Sequence, residues 1–306
     1  MEKLAIVIVG PTCSGKTLLA INLALKLQTE VISADSRQIY KHLTIGTAKP
    51  DKQDLEKVKH HFIDQLNPEV DFNASIFENE SLQIIKSLHR QNKVPIIAGG
   101  SGLYIKALVD GIFDTVDTDD EYRAELLKLK NEFGNEHLYD LLKEVDPKSA
   151  DTMLPQNWKR VMRALEVHKS AGKPIWEVQS DHKRKVEINF LQFGLNWNRE
   201  ILYENIELRV DSMIEKGLVE EVKSIISNYN SSLNSLNTVG YKEIIEYLEN
   251  KISLERAVEL IKRNTRRYAK RQMTWFRKDD RINWFDINSS EDIAKVERLI
   301  LNRLNL

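Results

Sequence analysis

One cysteine, Cys13, in 306 residues rules out an intramolecular disulfide framework and fits a reducing compartment. Long apolar runs are also missing. No stretch approaches the roughly 20 residues needed to cross a bilayer, so no membrane association is expected. The opening Met1-Glu2-Lys3-Leu4 runs straight into a strand-like segment without the pattern of a secretory leader. The expectation is a cytoplasmic protein. A dominant charge of one sign is absent as well. The 45 Lys and Arg residues against 46 Asp and Glu leave a net charge of −1. A polyanionic partner would therefore have to be met by local basic clusters rather than by the field of the whole molecule. There is no internal repeat and no low-complexity segment. What remains is 42% apolar and 30% charged, ordinary for a globular protein and long enough for an α/β core with one further subdomain.

Leu4–Val9 (LAIVIV) is an unbroken apolar run, the mark of a strand buried on both faces of a parallel sheet. Residues 30–34 and 93–98 read as two more strands, and 190–195 as a fourth. Helical spacing separates them, beginning with 18–27, which argues for a parallel sheet flanked by helices. Between about 115 and 185 the strand signal vanishes and segments 121–132, 137–144 and 157–171 read as helices. The expected organisation is an α/β core over 1–115, an inserted helical subdomain over 116–185, and a second part of the core over 186–306. After Asn198 the chain reads as helical to its end, with 203–216 and 254–277 the longest candidates and a Ser- and Asn-rich loop at 228–237.

Gly10-Pro11-Thr12-Cys13-Ser14-Gly15-Lys16-Thr17 fits G-x-x-x-x-G-K-[ST], following a buried strand and opening a helix. The glycines let backbone N–H groups turn inward onto phosphate oxygens, and the helix N-terminus adds its dipole. Lys16 supplies a cation to the terminal phosphate, and the Thr17 hydroxyl is a ligand for Mg²⁺. A di- or triphosphate ligand is expected; the motif admits ATP. The loop alone names no reaction. NTPases place a metal-binding acid after a later strand, but here the strand ending at Ala98 runs into Gly99-Gly100-Ser101-Gly102. The acid that closes a strand is Asp35. Strand C-terminal ends gather around the ligand in such a sheet, so Asp35 suits a base acting on a nucleophile; a plain turn-capping role is the alternative.

From Asp35 onward the chain resembles the tRNA dimethylallyltransferases, also called tRNA isopentenyltransferases. The resemblance rests on Asp35-Ser36-Arg37-Gln38-Ile39-Tyr40, Gly46-Thr47-Ala48-Lys49-Pro50, His60-His61-Phe62-Ile63-Asp64 and Gly99-Gly100-Ser101-Gly102-Leu103-Tyr104. It continues through Arg163-Ala164-Leu165-Glu166-Val167, Gly240-Tyr241-Lys242-Glu243, the run from Thr265 to Gln272, and Trp275-Phe276-Arg277. These motifs occur in order over nearly the whole chain. The zinc finger of eukaryotic members is not among them, so a bacterial type is expected.

The resemblance implies a P-loop NTPase-like fold and a prenyl transfer. The dimethylallyl group of dimethylallyl diphosphate passes to the exocyclic amine of the adenosine just 3′ of the anticodon, and diphosphate leaves. Lys16, Thr17 with Mg²⁺, and the loop residues Gly10 to Thr17 would hold the diphosphate, with Thr12 and Ser14 touching it. Asp35 matches the family's base. Arg209 matches an arginine that braces the leaving group, though Arg199 is also available. On the tRNA side, Asp35, Ser36, Arg37 and Gln38 line the adenine pocket, with Ser101 where Thr is commoner. Arg123 and Lys159, Arg160, Val161, Met162 and Arg163 of the insertion resemble tRNA contacts, as do Thr238, Val239, Gly240, Tyr241 and Lys242. The partners implied are the tRNA anticodon stem-loop and dimethylallyl diphosphate, served by a monomer.

Blander readings stand beside these. His60-His61 with Asp64 is a poor metal site, because adjacent residues do not share a face. Lys262 to Arg281 is strongly basic, and a charged helix is usually a solvated one. Here Tyr268, Trp275 and Phe276 are interleaved and could stack on bases, and Arg267 and Lys270 share a helical face with Arg263 and Thr274. Cys13 stands where the family commonly has Ala, and the residues around Trp284 read as core. The rival functions are a prenyltransferase of free adenine nucleotides, a P-loop kinase of a small metabolite, and an RNA-binding protein switched by nucleotide.

Overall fold

A computed structural model of the chain describes residues 3–112, 119–181 and 187–304. Six parallel strands form one sheet: β1 (Leu4–Val9), β2 (Val31–Ser33), β3 (His60–His61), β4 (Ile96–Gly99), β5 (Asn189–Trp197) and β6 (Asn283–Ile287), in the order β3-β2-β4-β1-β5-β6. Residues 5–9 of β1 are fully buried because the strand has β4 on one side and β5 on the other, with helices over both faces. The chain leaves β1 for β2 across a gap that β4 later fills, then crosses to the far side of β1 for β5 and β6. The C-terminal ends of β1, β2 and β4 therefore surround the crevice where such sheets take their ligands.

The helices are α1 (Lys16–Lys26), α2 (Lys52–Lys57), α3 (Ala74–Arg90), α4 (Gly102–Asp110), α5 (Asp120–Val145), α6 (Pro147–Ala150), α7 (Trp158–Ala171), α8 (Ile175–Asp181), α9 (Arg199–Glu215), α10 (Leu218–Asn228), α11 (Tyr241–Leu248), α12 (Leu254–Phe276) and α13 (Ser290–Arg303). Their starts follow local chemistry. Asn73, Asp119 and Asn198 accept backbone N–H groups of α3, α5 and α9 through their side chains. Apolar faces of α1 and α13 pack with β1, β4 and β5 into one core that includes Leu19, Leu23, Ile96, Phe193, Ile293 and Ile300.

Two strands were not visible in the sequence, and the expectation that the chain stays helical after Asn198 is wrong. β6 pairs with β5 in parallel, Phe193 opposite Asn283 and Trp197 opposite Ile287. It is an edge strand, so of Asn283–Ile287 only Ile287 is buried and no apolar run announces it. Trp284 is half-buried against Gly194, where a side chain on the glycine would collide with the indole. β3 is only two residues long. His61 Nε2 lies 2.6 Å from Glu30 Oε2, and His60 Nδ1 lies 2.8 Å from the Val58 carbonyl, which are structural contacts. Among the described residues no group of three or more His, Cys, Asp and Glu could hold a metal ion.

The chain divides into two compact units, Met1–Val109 with Glu187–Leu306, and Asp110–Val186. The second unit is all-helical among the described residues. Its core gathers Leu126, Leu138 and Leu142 of α5 with Val161, Met162 and Leu165 of α7. Within α5, Gly134 (φ 88°, ψ −179°) breaks the ladder in a conformation open essentially to glycine, so the helix has two arms. No helix among the described residues is long and apolar enough to cross a membrane.

The ends of β4 and β2 approach so closely that a side chain on Gly99 would strike the Ala34 carbonyl oxygen, a backbone atom that no rotamer change can move. Gly99→Ala should therefore lower unfolding stability by about 2 kcal/mol or more, read as a drop in the urea midpoint. An unchanged midpoint would show that the two strand ends can part freely.

Candidate active site

The loop after β1 turns through positive φ at Gly10 (153°), Cys13 (64°) and Gly15 (82°). Gly15 caps α1 without a side-chain hydrogen bond. The backbone N–H groups of residues 13–17 accordingly have no protein acceptor among the described residues, and they form an anion cradle at a helix N-terminus. The loop is held from behind. Trp197 Nε1 donates to the Ser14 carbonyl at 2.9 Å, and Ser14 is buried. Cys13 packs on Leu202, Ile206 and Ala269, so it acts as a small apolar side chain. Lys16 Nζ turns back to the Pro11 carbonyl and to Ser14 Oγ. Burial, with the nearby Arg209 guanidinium adding to it, pushes its pKa down to about 8. Thr17 is exposed, and its hydroxyl makes no protein hydrogen bond among the described residues.

The ends of β2 and β4 build the opposite wall. Asp35 Oδ1 accepts from the N–H groups of Arg37 (2.8 Å) and Gln38 (3.3 Å), so Asp35 does cap its turn. It also lines the cavity, and among the described residues Oδ2 has no hydrogen-bond donor from the protein. The two readings of Asp35 are thus compatible: the turn fixes the carboxylate that the cavity uses. Ser36 N–H donates to Ser101 Oγ at 3.0 Å, which ties the Asp35 turn to the start of α4. Gln38 is held by Ser33 Oγ and by the carbonyls of Thr47 and Ala48.

These parts enclose a cavity of about 890 Å³. Its walls include residues 12–17, Asp35, Gln38, Lys49, Gly99, Gly100, Arg209, Tyr268 and Gln272. Arg209 Nη1 reaches Thr12 Oγ1 at 3.4 Å, whereas Arg199 lies over the Tyr203 ring and does not line the cavity. Lys49, Tyr268 and Gln272 are among the cavity residues that fell outside the sequence-predicted site. Lys49, its side chain 1% exposed, bonds the Tyr40 carbonyl and pairs with Asp64; burial lowers its pKa. Burial, with Asp35 nearby, raises that of Tyr268. Gln272 of α12 bonds both Thr12 and Gly100. Lys49, Tyr268 and Gln272 all stood within the quoted motifs, and that membership was the signal available for them.

A neighbouring cavity of about 330 Å³ is lined by Asp35, Ser36, Arg37, Thr238, Val239, Gly240, Lys242 and Arg271 among others. Tyr241, expected at a tRNA contact, is fully buried instead. Its hydroxyl donates to Glu221 at 2.6 Å, and Glu221 also accepts from the N–H groups of Thr44, Ile45 and Gly46. Tyr241 therefore shapes the wall from behind. Val161 and Met162 are corrected likewise: both sit in the core of the helical unit, so their side chains cannot meet RNA. Lys159 and Arg160 are exposed. Arg123 and Arg163 converge on the buried carboxylate of Glu166, at 3.4 and 3.5 Å. On α12, Lys262 and Arg266 are paired with Asp211 and Glu207, while Arg267 and Lys270 are exposed without ion pairs among the described residues.

The IPP transferase family model matches residues 38–279, beginning beyond the phosphate loop. The tRNA dimethylallyltransferase of Acetivibrio thermocellus is 46% identical over 297 residues, 95% of each chain. That of Caldanaerobacter subterraneus subsp. tengcongensis is 43% identical over 304 residues, 98% of this chain and 96% of the other. Among solved structures, the full-length tRNA isopentenylpyrophosphate transferase of Bacillus halodurans superposes with a TM-score of 0.73 at 37% identity, covering 100% of this chain and 97% of that one. A eukaryotic dimethylallyltransferase acting on tRNA gives 0.81 at 30% identity, covering 98% and 78%.

Lys16 loses its proton as pH rises through about 8, so the cradle loses a cation there. Affinity for inorganic diphosphate should fall above that pH more steeply in the parent protein than in Lys16→Ala, whose profile reports only the titration of the ligand. Isothermal titration between pH 7 and 9.5 measures both; parallel profiles would remove Lys16 from the anion site.

Proposed function

Since the chain belongs to the IPP transferase family, we propose that it transfers the dimethylallyl group of dimethylallyl diphosphate to the exocyclic amine of the adenosine 3′-adjacent to the anticodon of a tRNA. The observation that carries this reading is one cavity that brings together the phosphate cradle, Lys16, Arg209 and the Asp35 carboxylate. The unpaired amides of residues 13–17, with Lys16 and Arg209, would neutralise charge developing on the leaving diphosphate. The allylic C–O bond breaks with its electron pair going to diphosphate, and the amine lone pair forms the new C–N bond. The proton left on nitrogen passes to the Asp35 carboxylate, which is pre-aimed by its turn. An adenine amine is a weak nucleophile because its lone pair is delocalised, so hydrogen bonding to Asp35 before bond formation assists attack.

Mg²⁺ fits this donor set. The site offers hard oxygen ligands, and a phosphate-bound Mg²⁺ needs only one or two groups from the protein. The unpaired Thr17 hydroxyl would hold it, and when bound the ion would add positive charge against the diphosphate oxygens. The second cavity, beside Arg37, Thr238 and Lys242, suits the nucleotide flanking the reacting base. That base must leave its stack to reach Asp35. The exposed Lys159, Arg160, Arg267 and Lys270 are available to phosphates.

Labelled dimethylallyl diphosphate should pass its label to tRNA and not to AMP; label on AMP alone would sink the RNA reading. Asp35→Asn should slow single-turnover transfer on the order of 10²-fold with diphosphate affinity kept, and a near-normal rate would place the base elsewhere. Arg267→Ala with Lys270→Ala should weaken tRNA binding and flatten the log affinity against log salt slope by about 1 to 2 units. An unchanged slope with a lower melting temperature would make that face structural.

A further inference from the structure

The phosphate loop is asymmetric in its donors. From Cys13 to Thr17 every N–H lacks a protein acceptor among the described residues. At the β1 end the supply stops. Pro11 has no N–H, and that of Thr12 donates to Gln272 Oε1 at 2.8 Å. Gln272 is buried at 6% exposure, 260 residues away in sequence. Its Nε2 donates to the Gly100 carbonyl at 2.9 Å, which fixes which end of the amide faces the loop. Gly100 has no side chain to obstruct this, since a Cβ there would collide with Nε2. The Thr12 side chain is engaged as well, through Arg209. Beside the cradle, where a longer phosphate chain would seek its next donor, stands an acceptor oxygen. An acceptor oxygen at this position would repel a phosphate oxygen instead of binding it.

We propose that Gln272 is a specificity-determining residue that closes the β1 end of the phosphate loop, so that the loop accepts a diphosphate in preference to a triphosphate. This rests on the reading of the loop as the leaving-group site given above, and it adds what limits the length of the group. A shortened cradle suits a reaction in which diphosphate departs and no third phosphate is ever present. The same amide ties Thr12 to Gly100, whose neighbour Ser101 receives the Ser36 N–H beside Asp35. Closing the cradle and holding the base turn are therefore done through one side chain.

The test is titration calorimetry of inorganic diphosphate and of tripolyphosphate, each with Mg²⁺, on the parent protein and on Gln272→Ala. The parent should prefer diphosphate by about ten-fold or more, the factor associated with gaining or opposing one charge-assisted hydrogen bond. In Gln272→Ala, which frees the Thr12 N–H and removes the opposing oxygen, the ratio should fall toward one through a gain in tripolyphosphate affinity. A merely structural role would weaken both ligands together and leave the ratio alone. A parent without preference, or a folded variant with the parent's ratio, overturns the proposal. If Gln272→Ala lacks a cooperative melt, Gln272→Ser, which retains a small hydroxyl, carries the same expectation and the same overturning result. Prenyl transfer to tRNA by the parent is scored in parallel. A protein that prenylates tRNA yet binds both anions equally refutes this inference alone. One that discriminates the anions without prenylating refutes the proposed function instead.

Discussion

The pairing of β4 between β1 and β2 sets the geometry on which the candidate site depends. Val9 lies opposite Gly99, and Ala98 lies opposite Ser33, so the phosphate loop and the Asp35 turn leave the sheet at nearly the same height. They are two inter-strand spacings apart, roughly 9 to 10 Å. That interval is wide enough for a small allylic group and an incoming amine between a held diphosphate and a carboxylate. It would be lost if the strand ends parted, which is why Gly99 has to accept the Ala34 carbonyl so closely.

The electrostatics follow from that confinement. Lys16 and Lys49 are drawn into a space where burial disfavours their charge, and both are lowered in pKa. Lys49 is offset by Asp64, so its charge is balanced within the protein. Lys16 has only backbone and hydroxyl partners, with Arg209 against it. A buried cation without a carboxylate partner is costly unless an anion arrives to match it. The imbalance at Lys16 therefore favours anion binding, whereas the Lys49 pair serves the wall.

Much of this was legible in the chain itself. The buried strand, the loop after it and the acid closing β2 are local signals, and the quoted motifs named most of the cavity. What escaped was of two kinds. β3 and β6 are edge elements, short or half-exposed, whose pairing is decided by a neighbour and not by their own pattern. The roles of Gln272, Tyr241 and Glu221 depend on contacts between residues far apart in sequence. Tyr241, Val161 and Met162 show the limit of reading a motif as a surface: a segment can lie at a binding site while alternate side chains point into the core.

The central strand also carries a consequence for synthesis of the protein. β1 and β4 lie within the first hundred residues, but β5, which covers the other edge of β1, begins only at Asn189, after the helical unit. While the ribosome makes that unit, a wholly apolar strand has one side without its final partner. Such an edge is a template for pairing with other chains. Inserting a compact helical unit between the halves of a sheet thus lengthens the interval of exposure in every round of translation. The rate of elongation through Asp110–Val186, and chaperone occupancy during it, become determinants of yield for this architecture.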